Sequence, residues 1–518
     1  MKNRVTRRNF LLKSLGLGLT GSLLVNPVLA SFAKSFLNEQ KTGSIPVIKK
    51  GEKQIFVDDV MIAYQSGVER KCHAAQKLSH PVLEGDKPWE YVERENVKIP
   101  YAGIYGTVLR DEKTGLFRMW YNINKKTCYA VSADGVNWQK PELGQVGATN
   151  MINLFDFQSP SFILDKMGTD PAKRYKVIGA KDGFSKEEIN KLKSKFKLSE
   201  SYHRDFAYCA AYSQDGLNWE MYPEPILLGM DTVTLAQDPL TGEYLAFHKQ
   251  TQDPRSFGRQ VFLSTSKDML SWSDTELVMA TDETDHQEAR KLEGGTHSEF
   301  YNMSAFYYAN QWLGLVTLFR CIVERLVNGK AKAGQKGIID VQLVHSRDGR
   351  KWQRCSDRTP VIPVGPNDYD AGMVFGVCNT PVIVGDEMWM YYSASIDIHC
   401  GDNPGKKVSI ARAAWRLDGM VSLQASVGEG IIETTPFMTE GNSLIVNADV
   451  RKGQLLVEVL DENRKTIPGY EKDDCTPLSG SEICQPIIWK GVKKIPRHKP
   501  VCLRFYLSGG NLFSYSIK

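Results

Sequence analysis

Two acidic residues of this 518-residue sequence occupy matching places in a repeat, and their types suggest a chemistry. Asp231 and Glu299 stand fourteen residues before matched apolar positions, Leu245 and Leu313. Tyr105 and Gly376 stand as far before Met119 and Met390. Two carboxylates flanking one bond are the minimum for glycosidic hydrolysis, one as acid and one as base or nucleophile. Glu299 is expected to be the acid, with Asp231 or Asp59 as base or nucleophile. Asp59 enters because Asp58 and Asp59 interrupt an apolar run from Ile55 to Ile62, so one of them faces inward or lies at a bend. Ordinary solvated loop acids would produce the same pattern.

Other polar and aromatic residues are candidates for holding a substrate. Asp370 precedes the last inner strand, and His399 follows the strand after it. Arg259 stands before the third strand of its unit, and Asn302 is close to Glu299. Tyr105 and Trp89 offer rings for stacking. Ten cysteines are scattered without a Cys-x-x-Cys or a metal-like Cys/His spacing, and no spacing argues for calcium. No metal and no cofactor are expected. Cys475 and Cys484 are close enough in sequence for a disulfide, and buried free thiols are the alternative.

The elements that position these residues are set by a recurring stretch, Ser-x-Asp-Gly-x-x-Trp. It runs from Ser132 to Trp138, from Ser213 to Trp219 and from Ser346 to Trp352. A fourth copy, Ser266 to Trp272, carries Met269 in place of Gly, and a fifth keeps only Asp418-Gly419. Each copy follows a β-rich run with Gly, Asp and Pro at its turns, as hairpins require. Four strands per unit and five units predict an all-β chain, a five-bladed β-propeller over 45–424. In such a fold the innermost strands begin around a central channel, which is where sites form. The repeated stretch itself is structural, its Ser and Asp bonding the turn and its Trp packing between blades. Ser185 to Glu188 forms a capping box that starts a helix within the second unit. Beyond it, alternating runs such as Leu455 to Leu460 predict a small antiparallel β-sandwich over 425–518.

The repeated turn is similar to the Asp-box of sialidases, one residue shorter before its Gly. Sialidase-type activity would expect six blades and an arginine cluster, and five units argue against it. Over nearly its whole length the chain resembles the five-bladed glycosidase superfamily of glycoside hydrolase families 32 and 43. More narrowly, it resembles bacterial exported family-32-like proteins. The residues carrying this are Phe56 to Asp59, Gly106 to Leu109, the Ser-x-Asp-Gly-x-x-Trp turns, Gly372-Met373, and the tail from Val446 to Gly491. The resemblance implies a glycoside hydrolase. The family's catalytic signatures have departed at Tyr105 and at Ser159 to Ser161, while Asp231-Thr232 stands on blade three.

Thr6 to Lys13 resembles a twin-arginine export motif. A short Gly-rich apolar run and Val28-Leu29-Ala30 follow it, so 1–30 is expected to be a signal peptide. The formal net charge is +5, and Lys2, Arg4, Arg7, Arg8 and Lys13 supply five positive charges. Without the leader the chain is near neutral, which argues against nucleic acid and anionic membrane as partners. No stable membrane span is expected once the leader is removed. The expectation is an exported, periplasmic or extracellular glycoside hydrolase of a polysaccharide or oligosaccharide. A non-catalytic carbohydrate-binding propeller is the alternative.

Overall fold

A computed structural model describes residues 45–94, 96–196, 206–250, 258–322, 326–327, 330–331, 336–355, 357–490 and 494–518. The chain divides into two compact units, 1–47 and 48–518. The expected signal peptide at 1–30 lies outside the described residues. Among the described residues no helix is long and apolar enough to cross a membrane.

The second unit is all-β, and its sheets follow the repeat. Val108–Arg110, Phe117–Ile123, Lys126–Ser132 and Met151–Ile152 form one antiparallel sheet in sequence order. Gln158–Leu164, Tyr175–Lys181 and Ala207–Ser213 begin the next, and Glu220–Met221 and Leu227–Leu228 complete it. Val233–Gln237, Tyr244–Gln250, Gln260–Ser266 and Glu276–Met279 form the third. The fourth is led by Gly295–Tyr308, Gln311–Ile322 and Lys336–Ser346. One parallel pair, Ile339 with Met373, joins it to the strands of the fifth, Met373–Phe375, Glu387–Ser395 and Val408–Arg416.

These strands are buried on both faces because each sheet is packed between two others. Tyr244 to Lys249 are buried without alternation, as are Gln260 to Ser266.

Hydrogen bonds tie the innermost strands into a closed ring. Thr107 Oγ1 donates to Phe162 O, the Leu235 amide to Ser161 Oγ (2.9 Å), and Thr234 Oγ1 to Met303 O. Ser304 Oγ donates to Val377 O (2.5 Å), and the one Thr107 hydroxyl proton is shared between Phe162 O and Asn379 Oδ1 (2.6 Å from Oγ1), which returns the ring to its start.

The closing strand of the last sheet does not come from the chain that follows it. Gln76–Lys77 and Leu83–Glu84, upstream of the first sheet, pair with Val408–Arg416 instead. After Asp418-Gly419 the chain enters the tail sheet. There Val421–Thr434, Leu444–Asp461, Leu478–Pro486 and Val501–Ile517 join Lys53–Ile55, Ile62–Ser66 and Glu69–Cys72 in one seven-stranded sheet. Bulges at Ala425/Glu429 and Asp449/Gln454 bend the long strands, so the two halves enclose an apolar core that includes Trp489, Phe505 and Leu507. Gly509 fits the bend because its φ is +53° and a Cβ there would stand 2.5 Å from Lys452 O. Cys475 and Cys484 are unbonded, the first buried and the second exposed.

The helix Lys186–Phe196 has its capping box: the Ser185 amide donates to Glu188 Oε2 (2.8 Å) and the Glu188 amide to Ser185 Oγ (3.2 Å). A second helix, Glu283–Arg290, has no counterpart in the sequence reading.

Candidate active site

Strand direction sorts the expected site residues into two ends. Gly295 pairs with Ile322 and Ile322 with Lys336 at one end of the fourth sheet. Tyr308, Gln311 and Ser346 lie at the other. The repeated Ser-x-Asp turns therefore occupy the end opposite to Asp231 and Glu299.

At the Asp231 end a cavity of about 130 Å³ opens. Tyr101, Tyr105, Tyr301 and Phe375 supply its aromatic walls. Asp231, Asn122, Ser159, His399 and Lys406 supply its polar groups. Ser159 and Cys400, both on the cavity wall, hold left-handed backbone at φ +50° and +52°, local strain of the kind that collects at binding sites.

Asp231 stands two residues before the strand Val233–Gln237, and its side chain is 29 % exposed. Lys249, at the end of the adjoining strand, is 2 % exposed and puts Nζ 2.8 Å from Asp231 Oδ1. Burial works to raise the Asp231 pKa. The charge and hydrogen bond of Lys249, with Arg259 behind, outweigh burial and hold the carboxyl below its ordinary value. Asp231 is thus an anion at neutral pH, suited to act as base or nucleophile.

Tyr301 is the hub of this pocket. Lys249 Nζ lies 4.2 Å from its ring centroid, and the Arg259 guanidinium lies 5.8 Å away. Its hydroxyl stands 3.4 Å from His399 Nε2, and the two rings meet edge-on at 5.3 Å. Burial pushes the Tyr301 pKa up and the Asp231 charge pushes it further; burial and the neighbouring tyrosines do the same to Tyr105. Both hydroxyls keep their protons and can donate hydrogen bonds.

Glu299 does not line the cavity. It is 3 % exposed, Oε2 accepts from Arg259 Nη1 at 2.5 Å, and Oε1 stands 3.1 Å from His297 Nε2. Burial raises its pKa, but His297 and Arg259 outweigh it and the carboxyl stays below its ordinary value. A carboxylate held in that form is opposed to the role of acid expected for it. The displacement has a geometric cause. Leu245 pairs with Ala236, so Asp231 is five residues before its strand partner; Leu313 pairs with Phe306, and five residues before that is Tyr301. The Ala309-Asn310 turn is shorter than the one after Gln237, so counting fourteen back slips by two residues. Tyr301 is the true counterpart of Asp231.

The other expected residues divide. Tyr105 and His399 line the cavity, and Arg259 stands behind Tyr301. Asn302 lies one layer below, beside Thr232 in a smaller cavity, its Oδ1 accepting from Thr317 Oγ1 at 3.1 Å. Three residues lie elsewhere. Asp370 is fully buried, with Lys77 Nζ at 2.7 Å and Tyr392 Oη at 3.0 Å, which makes it a core ion pair. Trp89 donates through Nε1 to Asn150 Oδ1 (3.0 Å) and packs on the core of the first and fifth sheets.

Asp59 lies at a bend with Asp58, as one of the two sequence alternatives required, but at the wrong end. It is paired with Arg70 at 2.5 Å in a separate cavity of about 570 Å³ beside Ser346 and Asp348. The nine residue steps from Glu299 to Tyr308 separate the two ends by about 30 Å at the rise of a strand. Asp59 therefore cannot act on a bond held at Asp231.

Sequence reasoning missed Tyr301 and Lys249. Counting from each turn would have found Tyr301. The run His248-Lys249-Gln250, a polar close to an apolar strand, marked Lys249.

No family model matches the chain, and no curated protein matches it. Solved structures do. An N-acetylgalactosamine deacetylase from F. plautii, in complex with blood group B trisaccharide, is 12 % identical with a TM-score of 0.44, covering 68 % of this chain and 97 % of its own. The catalytic domain of a family 62 α-L-arabinofuranosidase from Coprinopsis cinerea is 10 % identical with a TM-score of 0.39, covering 66 % and 97 %. A fructofuranosidase from Schwanniomyces occidentalis, complexed with fructosylnystose, is 12 % identical with a TM-score of 0.36, covering 85 % and 99 %.

Proposed function

We propose that the chain is an exported glycoside hydrolase whose reaction centre is Asp231. The observation that carries this reading is an ionised carboxylate, held by Lys249, in a cavity walled by tyrosines. Sugar rings offer C–H faces to aromatic planes and hydroxyls to polar groups, and Tyr105, Tyr301, Asn122 and His399 provide both kinds of partner. Asp231 takes the proton of an attacking water or attacks the anomeric carbon itself, while the glycosidic C–O bond breaks and the leaving oxygen takes its proton from solvent. Tyr105 and Tyr301, protonated at neutral pH, donate hydrogen bonds to the sugar. Export rests on the leader from Thr6 to Ala30.

One observation favours a second reading, a carbohydrate-binding pocket without turnover. Among the described residues Asp231 is the sole carboxylate lining the cavity, because Glu299 is committed to Arg259 and His297.

Screening wild type, Asp231→Asn and Glu299→Gln on a panel of polysaccharides and oligosaccharides, for sugar release and for binding by calorimetry, separates the two. The hydrolase reading expects Asp231→Asn to lose turnover by a hundredfold or more, on the scale of a lost catalytic base, while binding persists. Wild-type binding without release supports the second reading. Full turnover by Asp231→Asn removes Asp231 from the chemistry.

A further inference from the structure

His297, Glu299 and Cys321 form a buried triangle on one face of the fourth sheet, apart from the cavity that Asp231 lines. His297 and Glu299 are two apart on one strand and so share a face, and Cys321 pairs directly with His297 across the ladder. A ring nitrogen of His297, a carboxylate oxygen of Glu299 and Cys321 Sγ all lie within 4.8 Å of one another. We propose that these three side chains bind a divalent ion of the zinc class.

The hydrogen bonds around His297 support this. Thr296 Oγ1 donates to the carbonyl of Cys321 at 3.4 Å and stands 2.9 Å from His297 Nδ1. With that proton on the carbonyl, Nδ1–H donates to the hydroxyl oxygen. In that tautomer the Nε2 lone pair faces Glu299 Oε1, 3.1 Å away; in the other, Nε2–H donates to it. Metal binding selects the first tautomer, in which the lone pair and the carboxylate oxygen face one cation. A carboxylate, an imidazole and a thiolate suit zinc in charge and softness, with water in the fourth position.

A tetrahedral zinc holds its ligand atoms about 3.5 Å apart; Nε2 and Oε1, at 3.1 Å, are already that close, and Sγ needs to move in by at most roughly 1 Å, within the reach of side-chain rotation. Arg259 stays on Glu299 Oε2 and leaves Oε1 to the ion. Binding forms Zn–N, Zn–O and Zn–S bonds and releases to solvent the Cys321 thiol proton and any proton held between His297 Nε2 and Glu299. Thr296, holding the far nitrogen, is the positioning residue. The ion would pin Gly295–Tyr308 to Gln311–Ile322 next to Tyr301 and so fix one wall of the pocket.

The test uses the full chain, loaded with Zn²⁺ or Co²⁺ after chelator treatment. Zinc is expected to remain at one equivalent after dialysis, and Co²⁺ to give near-ultraviolet thiolate-to-cobalt absorption. Cys321→Ser should abolish that band while the metal-free melting temperature is unchanged. Thr296→Val should weaken zinc affinity tenfold to a hundredfold, as loss of an outer partner does elsewhere. Asp231→Asn should bind zinc as wild type does, so that failure of the hydrolase reading leaves this result standing. Zinc lost on dialysis would overturn the site and leave a protonated His–Glu pair. So would zinc binding that neither Cys321→Ser nor His297→Ala weakens.

Discussion

Asp231 and Lys249 are unequal partners, and the difference predicts what each removal does. Lys249 is nearly inaccessible, whereas Asp231 reaches the cavity with 29 % of its side chain exposed. Asp231→Asn removes the carboxylate that faces a buried ammonium and should cost about 3 kcal/mol of stability. Lys249→Met leaves a carboxylate that still meets solvent, and it should cost less. Its larger effect is on titration. With Lys249 present the Asp231 pKa lies below the ordinary carboxylate value; with Lys249 gone, burial is unopposed by its largest counterweight and the pKa rises. A base works only when deprotonated, so the acid limb of the pH–rate profile should move to higher pH in Lys249→Met. An unmoved acid limb would mean that Asp231 does not set it. The linkage to stability has the same sign. Asp231 and Glu299 both titrate below their ordinary values, so each stabilises the fold fully above the carboxylate range, and each contribution is lost as pH falls through the lowered pKa.

At the scale of elements, the repeated turn shows why so much of the fold is legible in the sequence. Ser213 Oγ accepts from the Asp215 and Gly216 amides at 3.2 and 2.9 Å. Asp215 Oδ1 accepts from the Leu217 and Asn218 amides, both at 2.8 Å, and Trp219 Nε1 donates to Gly216 O at 3.1 Å. Every partner is within a few residues, so the motif specifies its own shape wherever it occurs. Met269 takes the left-handed backbone, φ +67°, that Gly holds in the complete copies, and the same bonds form around it. Burial pulls the Asp215 pKa up, but the amides outweigh it and set it at about 2. Its stabilisation should be complete above its ordinary value near 4 and vanish as pH falls to about 2. Asp215→Ala should cost about 1 kcal/mol, the worth of a capping carboxylate, and should flatten the acid side of a denaturation series. Turnover should not change, because the turn is at the far end of the strands from Asp231; a fall in kcat would contradict that placement. The site was less legible because its relations are not local. Asp231 and Tyr105 are at strand starts that a repeat alignment reaches. The same alignment took Glu299 for Tyr301, since a fixed count cannot register a turn two residues shorter in one sheet. Asp59, Asp370 and Trp89 carry suitable chemistry, but their partners Arg70, Lys77 and Asn150 are set by tertiary contacts that no spacing encodes.

For the whole molecule, the decisive contacts are those that close the ring. Asn379, 2 % exposed, donates its two Nδ2 hydrogens to Leu235 O (2.7 Å) and Phe162 O (2.9 Å) with Ser161 Oγ at 3.1 Å, and its Oδ1 accepts from Thr107 Oγ1. One side chain on the fifth sheet thereby bonds the first, second and third. Upstream strands Gln76–Lys77 and Leu83–Glu84 close the fifth sheet from outside, so the ring is fastened at its centre and at its rim. A fold closed in this way should lose all its sheets together, because opening any one breaks bonds to the others. Asn379→Leu keeps the volume and removes every one of these bonds, leaving Leu235 O buried without its side-chain partner. The expected loss is roughly 3 kcal/mol, the cost of a few buried polar groups stripped of hydrogen bonds. In guanidinium titrations of the full chain the midpoint should fall while the transition stays single, and ligand binding at the Asp231 pocket should disappear at that same midpoint. A wild-type midpoint would show that Asn379 does not fasten the ring. Two separated transitions, with binding lost in the first, would show that the sheet bearing Asp231 unfolds independently of the rest.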